Sequence, residues 1–383
     1  MSTVLTTSED LLHRLASFES PSDPVISLYL NLRVDQHGRR RHEEFFERAF
    51  HEQMETFGSL SAARRKLEQD FETIRRFLQT GLRPTAQTAA VFSCSAAPPL
   101  FETVQLDVPS DGHRLYIDRR PHLFPLARLN DQYAKYAALL VDTNAARLYV
   151  FAVGAAQRML TLQNEKPRRT PGVDVFSEGE YQRNAENLHL MHMKEVAAAV
   201  ERVVREEHVQ HVFVSANPVA LPLLRDQLPD PVAAKVIELS KLDMNTPDAE
   251  VLRATLDAYR EIDVRDDRDA VARVLDAFRS RGLGTIGLQR VKAALTLGQV
   301  DRLLVPAVPA RASADVLSAD VTAAADWNDR TSLSEAVIEQ LVQMAHQTGA
   351  GVTFIEDSAV LKPAGDVAAF LRFRLTDPEA GRE

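Results

Sequence analysis

Two hydrophobic periodicities alternate along the chain, and where they change they divide it into three regions. In the first, residues 1–130, Leu11, Leu12 and Leu15 recur at helical spacing over 8–18, and VISLYLNL at 25–32 is rich in β-branched and aromatic residues, which predicts a strand. Helical spacing returns over 43–79 with a break near Gly58-Ser59, 88–95 and 103–106 read as strands, and 121–129 leads out. This region is expected to be α+β. The second, residues 131–265, opens with YAALLVDTNAARLYVFAVG at 136–154, two apolar runs around a turn, which predicts a β-hairpin. A polar loop at 164–176, a helix over 180–207, a strand at 211–217, a helix at 220–227, a strand at 235–239 and a helix at 248–260 follow. The charge-rich stretch EIDVRDDRD at 261–269 marks a boundary by composition. Beyond it, residues 266–383 read helix 270–280, strand 283–286, helix 288–297, strand 302–306, a long loop, helix 332–348, strand 352–355 and strand 368–375. That order predicts an α/β/α sandwich.

Composition narrows the classes. With 45% hydrophobic residues, 26% charged, 15 Gly and 19 Pro among 383 residues, neither a disordered nor a fibrous chain fits. No apolar run approaches the roughly 20 residues that cross a bilayer. The polar start MSTVLTTSEDLLHRL has no signal-peptide core, so the expected location is cytoplasmic. A single cysteine, Cys94, in the apolar run TAAVFSCSAA, excludes disulfides within the chain and multi-cysteine metal sites and reads as a small buried hydrophobe.

Few motifs carry chemistry. Gly282, Gly284 and Gly287 spell G-x-G-x-x-G, but the predicted strand lies inside the motif rather than before it, so the glycines read as helix stop and turn residues, and no cofactor is expected. Glu186, His189 and His192 share one helical face; they could ligate a metal for a nuclease, or form a polar stripe. No nucleophile elbow, phosphate-binding loop or H-E-x-x-H occurs. Charge is more informative. The net value is −9, yet the stretch 33–42 holds Arg33, Arg39, Arg40 and Arg41 against Asp35, and the stretch 158–169 holds Arg158, Lys166, Arg168 and Arg169 against Glu165, so each is +3. Such loops are either solvated or grip phosphates. Regionally, 1–130 carries 16 basic and 17 acidic side chains, 131–265 carries 16 and 20, and 266–383 carries 13 and 17. The acidity sits in the last two regions and argues only against nonspecific RNA binding.

The third region contains GLGTIGLQRVKAALTLGQVDRLLVPA at 282–307, GAGVTFIEDSAVL at 349–361 and DVAAFLRFRL at 366–375. In this order the three segments resemble the C-terminal domain of the archaeo-eukaryotic class-1 release factors and Pelota, although Phe373 stands where that family usually has Tyr. Tyr181-Gln182-Arg183-Asn184-Ala185-Glu186 and His192-Met193-Lys194-Glu195-Val196-Ala197 resemble the ends of the long central helix in bacterial relatives. The resemblance covers about residues 130 to 375. It implies three domains, a central RNase H-like α/β domain and a C-terminal sandwich like that of the kink-turn-binding ribosomal proteins.

For function, the resemblance implies a ribosome-associated translation factor that enters the A site, with Arg158, Lys166, Arg168, Arg169 and Arg183 on ribosomal or transfer RNA and Arg33, Arg39, Arg40 and Arg41 on the decoding side. A translational GTPase is the implied partner of the third domain. The first region lacks the Asn-Ile-Lys-Ser with which eukaryotic factors read stop codons. The central loop departs from the hydrolytic members too: PGVDVFSEGE at 171–180 contains no Gly-Gly-Gln. Relatives without that tripeptide, such as Pelota and the bacterial hibernation factor Balon, act without hydrolysing. A hibernation, rescue or termination-like role follows, with no metal and no assigned catalytic residue. The alternative is a peptidyl-tRNA hydrolase in which Glu178 or Glu180 replaces the missing Gln.

Overall fold

Three sheets are formed among the described residues, each buried on both faces at its central strands. The structure, a computed structural model, describes residues 8–21, 23–34, 41–56, 62–95, 98–106, 108–133, 135–152, 155–163, 178–207, 209–239, 242–308 and 333–374. Contacts divide the chain into two compact units: residues 133–261, and residues 1–132 together with 262–383.

The first part of the larger unit runs α1 (Ser8–Ser17), β1 (Val25–Asn31), α2 (His42–Thr56), α3 (Ala62–Thr80), β2 (Thr88–Cys94), β3 (Leu100–Leu106), β4 (Arg114–Asp118) and α4 (Phe124–Gln132). Its antiparallel sheet has the order β3-β2-β1-β4, with Leu28 facing Val91 on one side and Leu115 on the other. Ile26, Leu28 and Leu30 pack on Phe46, Leu67, Phe71 and Ile74 of α2 and α3. The opposite face sends Tyr29 and Phe92 into a core with Leu12, Leu15 and Phe124. Burial on both faces is why VISLYLNL is an almost unbroken apolar run. Cys94 is buried, as its surroundings in the sequence predict. Two elements of this part escaped the sequence reading, as did β7 (Ala155–Gln163) further on, which makes Arg158 a strand residue rather than a loop residue. The strand β4 is only half-buried and shows weak alternation, and 121–129 contributes to a helix rather than an exit segment.

The smaller unit runs β5 (Tyr136–Val141), β6 (Ala145–Ala152), β7 (Ala155–Gln163), α5 (Glu178–Glu207), β8 (Val212–Ala216), α6 (Ala220–Arg225), α7 (Asp230–Ala233), β9 (Val236–Glu238) and the first half of α8 (Asp248–Arg279). Its sheet has the order β7-β6-β5-β8-β9, with β6 antiparallel to both neighbours and β5, β8 and β9 parallel. This is the RNase H-like strand order. Alternate β5 residues split between two faces. Ala137, Leu139 and Val141 join Met193, Val196, Val200 and Val203 of α5, while Tyr136 meets Phe151, Phe213 and, stacked at 5.3 Å, Tyr259 of α8. Arg147 ties the start of α8 to the sheet through Asp248 and the carbonyls of Met244 and Thr246.

The larger unit resumes at residue 262 with the rest of α8, then β10 (Gly284–Ile286), α9 (Leu288–Thr296), β11 (Val300–Pro306), α10 (Glu335–Gln347), β12 (Gly351–Ile355), α11 (Ser358–Leu361) and β13 (Ala368–Leu371). Helices flank both faces of the sheet β10-β13-β11-β12, giving the expected three layers. Leu304 packs with Val271 and Val274 of α8, whereas Leu303 and Val305 pack with α9 and α10. That second core is continuous with Leu12, Leu15, Phe92 and Phe124.

The composition boundary at 261–269 is corrected in one respect: it is helical throughout, because it contains no Gly or Pro and nothing in it stops a helix from propagating. The glycine motif is packing and turn chemistry. A Cβ on Gly284 would lie 2.7 Å from the Val274 carbonyl, and Gly287 holds φ +80°. Among the described residues, no helix is long and apolar enough to cross a membrane.

Candidate nucleic-acid interface

Residues 164–177 lie outside the described ones, and two described elements flank them. The entry is β7, zipped along β6, and the exit is α5, which is anchored by Met193, Val196, Ala197 and Val200 at 4% exposure or less. Lys166, Arg168 and Arg169 lie outside the described residues, as do residues 171–177. Arg158 stands on β7 opposite Val150, next to a register shift. Glu178, Glu180 and Arg183 occupy the first turns of α5, and the side chains of these four residues are outside the described ones.

Of the motif Glu186, His189 and His192, the Glu186 side chain is not described. His192 is 2% exposed, and neither ring nitrogen has a hydrogen-bond partner among the described residues. Among those residues, no group of three His, Cys, Asp or Glu could hold a metal ion.

In the N-terminal basic cluster, Arg39 and Arg40 lie outside the described residues, while Arg33 and Arg41 are exposed at the two ends of the loop. Those ends are fixed locally. The Arg33 N–H donates to Asn31 Oδ1 at 3.0 Å, and the Arg41 carbonyl accepts from the Phe45 N–H at 3.0 Å. Phe45 stacks on His113 at 5.0 Å, Arg48 lies over the Phe45 ring, and His113 Nδ1 accepts the Asn31 N–H at 3.2 Å. Burial, followed by the charges of His42 and Arg48, lowers the His113 pKa and favours a neutral ring.

A polar seam that the sequence reading did not single out joins β4 and α4 to α10. Glu335, Glu339 and Gln343 recur every four residues on α10. Glu335 accepts from Arg114 at 3.0 Å and from the Tyr116 hydroxyl at 2.5 Å. Glu339, 8% exposed, accepts the N–H groups of Leu123 and Phe124 at 2.8 and 2.7 Å, so it caps the start of α4 from another helix. Gln343 donates to the Pro121 carbonyl at 2.8 Å. His122 lies between them, stacked on Tyr116 at 3.6 Å, with Nε2 3.5 Å from each carboxylate. The His122 ring, with Tyr116 and Arg114, holds Glu335 down to about 2 against the opposing effect of burial. Burial pushes Glu339 up. The only sequence signal was a polar stripe on a helix face that otherwise reads as core.

A second buried group lies within the larger unit. Asp131 accepts the Phe354 N–H at 2.7 Å, and Asp267 accepts the Glu356 N–H at 3.2 Å, so two carboxyl groups satisfy alternate donors along the free edge of β12. Burial first, then neighbouring carboxylates, raises Asp131 to about 8, Asp263 to about 7 and Asp267 to about 6.

Comparisons with known proteins bear on this architecture. Residues 121–260 match the model of bacterial archaeo-eukaryotic release factor family 10. The match includes the helix segments Tyr181–Glu186 and His192–Ala197 on which the resemblance was drawn, and it ends before the third region. No curated protein matches the chain in sequence. Among solved structures, the archaeal translation termination factor aRF1 is similar at 16% identity over 96% of this chain and 97% of its own, with a TM-score of 0.27. Ribosome-bound archaeal Pelota, solved with ABCE1, is similar at 13% identity over 97% and 95%, with a TM-score of 0.42. Dom34 from S. cerevisiae, described as a termination-like factor of RNA quality control that interacts with Hbs1, is similar at 11% identity over 76% and 82%, with a TM-score of 0.40.

Proposed function

We propose that this chain, whose central 121–260 segment is of the bacterial archaeo-eukaryotic release factor type, is a ribosome-associated translation factor that occupies the A site without Gly-Gly-Gln-dependent hydrolysis. The family match carries the reading, and the loop sequence PGVDVFSEGE at 171–180 supplies its second half. Release by the hydrolytic members uses glycine backbone freedom and a Gln at the ester; this loop puts Val and Asp at such positions and adds acidic charge. In this reading the three segments 1–130, 131–265 and 266–383 act as three domains in the cytoplasm. The central loop points toward the peptidyl-transferase centre, with Arg158, Lys166, Arg168, Arg169 and Arg183 on RNA phosphates. Arg33, Arg39, Arg40 and Arg41 face the decoding side, and the third domain takes a translational GTPase. The role is hibernation, rescue or a termination-like one. The test is sedimentation of the purified protein with 70S ribosomes from growing and stationary cells: co-migration at low salt is expected, and its absence from both would end the proposal.

A second reading rests on the position of Glu178 and Glu180 at the loop's exit, in the first turn of α5. There one of them would orient water at the peptidyl-tRNA ester. It predicts peptide release from stalled complexes that disappears in the Glu178→Ala, Glu180→Ala variant.

A further inference from the structure

The seam between β4, α4 and α10 has an unusual charge count. Two carboxylates one helical turn apart, Glu335 and Glu339, are pressed against the N-terminal sheet, with side-chain exposures of 32% and 10%. Glu335 has a full partner in Arg114, with the Tyr116 hydroxyl beside it. Glu339 has neutral donors only, the two N–H groups that start α4 and the Gln343 side chain. A charge buried this deeply is costly unless compensated. The one compensating group in reach is the His122 ring, 3.5 Å from Glu339 and 3.5 Å from Glu335.

The ring is fixed there from several directions. It stacks on Tyr116, its backbone N–H donates to Ser27 Oγ at 2.9 Å, and its carbonyl accepts the Tyr29 hydroxyl at 2.6 Å. The titratable and charged groups around the ring are Tyr29 from β1, Arg114 and Tyr116 from β4, and Glu335 and Glu339 from α10. With Arg114 matched to Glu335, the seam is neutral when one proton is held, on the imidazole or on Glu339. It carries one uncompensated negative charge when that proton leaves. The same stripe continues into Gln343 on the Pro121 carbonyl, His13 on the His346 carbonyl and Gln347 on the Ala16 carbonyl, so α10 is fastened to the N-terminal region along its whole length.

We propose that this seam is a proton-operated latch: one proton shared by His122 and Glu339 keeps α10 closed on the N-terminal sheet, and its loss loosens α10 from β4, α4 and α1. The latch stands independently of the ribosomal reading, because it concerns contacts within the larger unit alone.

Hydrogen exchange on the full chain, corrected for the intrinsic pH dependence of exchange, tests it at about pH 6 and about pH 8.5. Peptides of α10 and α1 are expected to lose protection on the alkaline side, by about tenfold per pH unit once the proton leaves. Peptides of α5 should show no such change. Glu339→Gln removes the charge but keeps only one acceptor oxygen for the two α4 donors, so α10 should be less protected than in the wild type at the lower value and show no further loss at the higher one. His122→Gln should open it already at the lower one. Equal protection of wild-type α10 at both values, a loss spread evenly over α5 as well, or the same loss in Glu339→Gln would each overturn the latch. If a variant fails to fold, the wild type still decides: α10 and α1 must lose more protection than β12, whose neighbouring carboxyl groups lower the stability of the larger unit over the same range.

Discussion

The carboxyl groups on the free edge of β12 make the stability of the larger unit fall as pH rises. Asp131, Asp263 and Asp267 have ordinary aspartate values near 3.9 when unfolded, but about 8, 7 and 6 in the fold. Each group therefore keeps its proton in the native state after the unfolded chain has released it. Its stabilising share is complete below about pH 4 and is lost as pH rises through the folded value. One proton held in this way gives a slope of about −1.4 kcal/mol per pH unit, so Asp131 alone removes about 4 kcal/mol between pH 5 and pH 8. The slope is steepest at the acid end of that window, where Asp263 and Asp267 add their shares. Against a total stability of about 5 to 15 kcal/mol this is a large fraction. Asp131→Asn keeps an oxygen to accept the Phe354 N–H but cannot ionise. The variant should match the wild type near pH 5 and exceed it by about 3 to 4 kcal/mol near pH 8. Urea titrations followed by far-ultraviolet circular dichroism, together with exchange protection of β12, measure both curves. A wild-type stability that is flat or rising over that range, or an equal slope in Asp131→Asn, would refute the reasoning.

Other consequences are simpler to check. Gly284→Ala places a Cβ 2.7 Å from the Val274 carbonyl and 2.9 Å from the Phe278 nitrogen, both backbone atoms of α8. It should cost at least about 2 kcal/mol in denaturant midpoint, since neither atom can move without shifting the helix. Tyr136→Phe removes the buried hydroxyl contact to Thr255 at 3.2 Å. A loss of about 1 kcal/mol is expected in the smaller unit, seen as reduced exchange protection of β5. Replacing Lys166, Arg168 and Arg169 together by Ala should weaken ribosome co-sedimentation and flatten its salt dependence by up to about three phosphate contacts; an unchanged salt slope would remove the loop from the interface.

Much of the fold was legible one element at a time. The spacing of Leu11, Leu12 and Leu15, the run VISLYLNL, the hairpin around Asn144 and the helix–strand order after residue 270 each encode a local period that backbone geometry reads directly. The motif-bearing helix α5 was legible as well, because both motif segments, 181–186 and 192–197, lie on one uninterrupted element. The helix through EIDVRDDRD was not, since charge density marks exposure and does not by itself stop a helix.

What the chain could not show locally is which distant polar groups would share one buried space. Glu339 lies 216 residues from the Leu123 N–H it accepts, and Asp131 lies 223 residues from the Phe354 N–H. In sequence these are ordinary acidic residues on helices. Only when α10 and β12 pack against the N-terminal region do they lose water, and burial then turns them into caps, proton holders and latch components. Periodicity fixed the elements because it is a property of neighbours along the chain; desolvation decided the chemistry because it depends on neighbours in space.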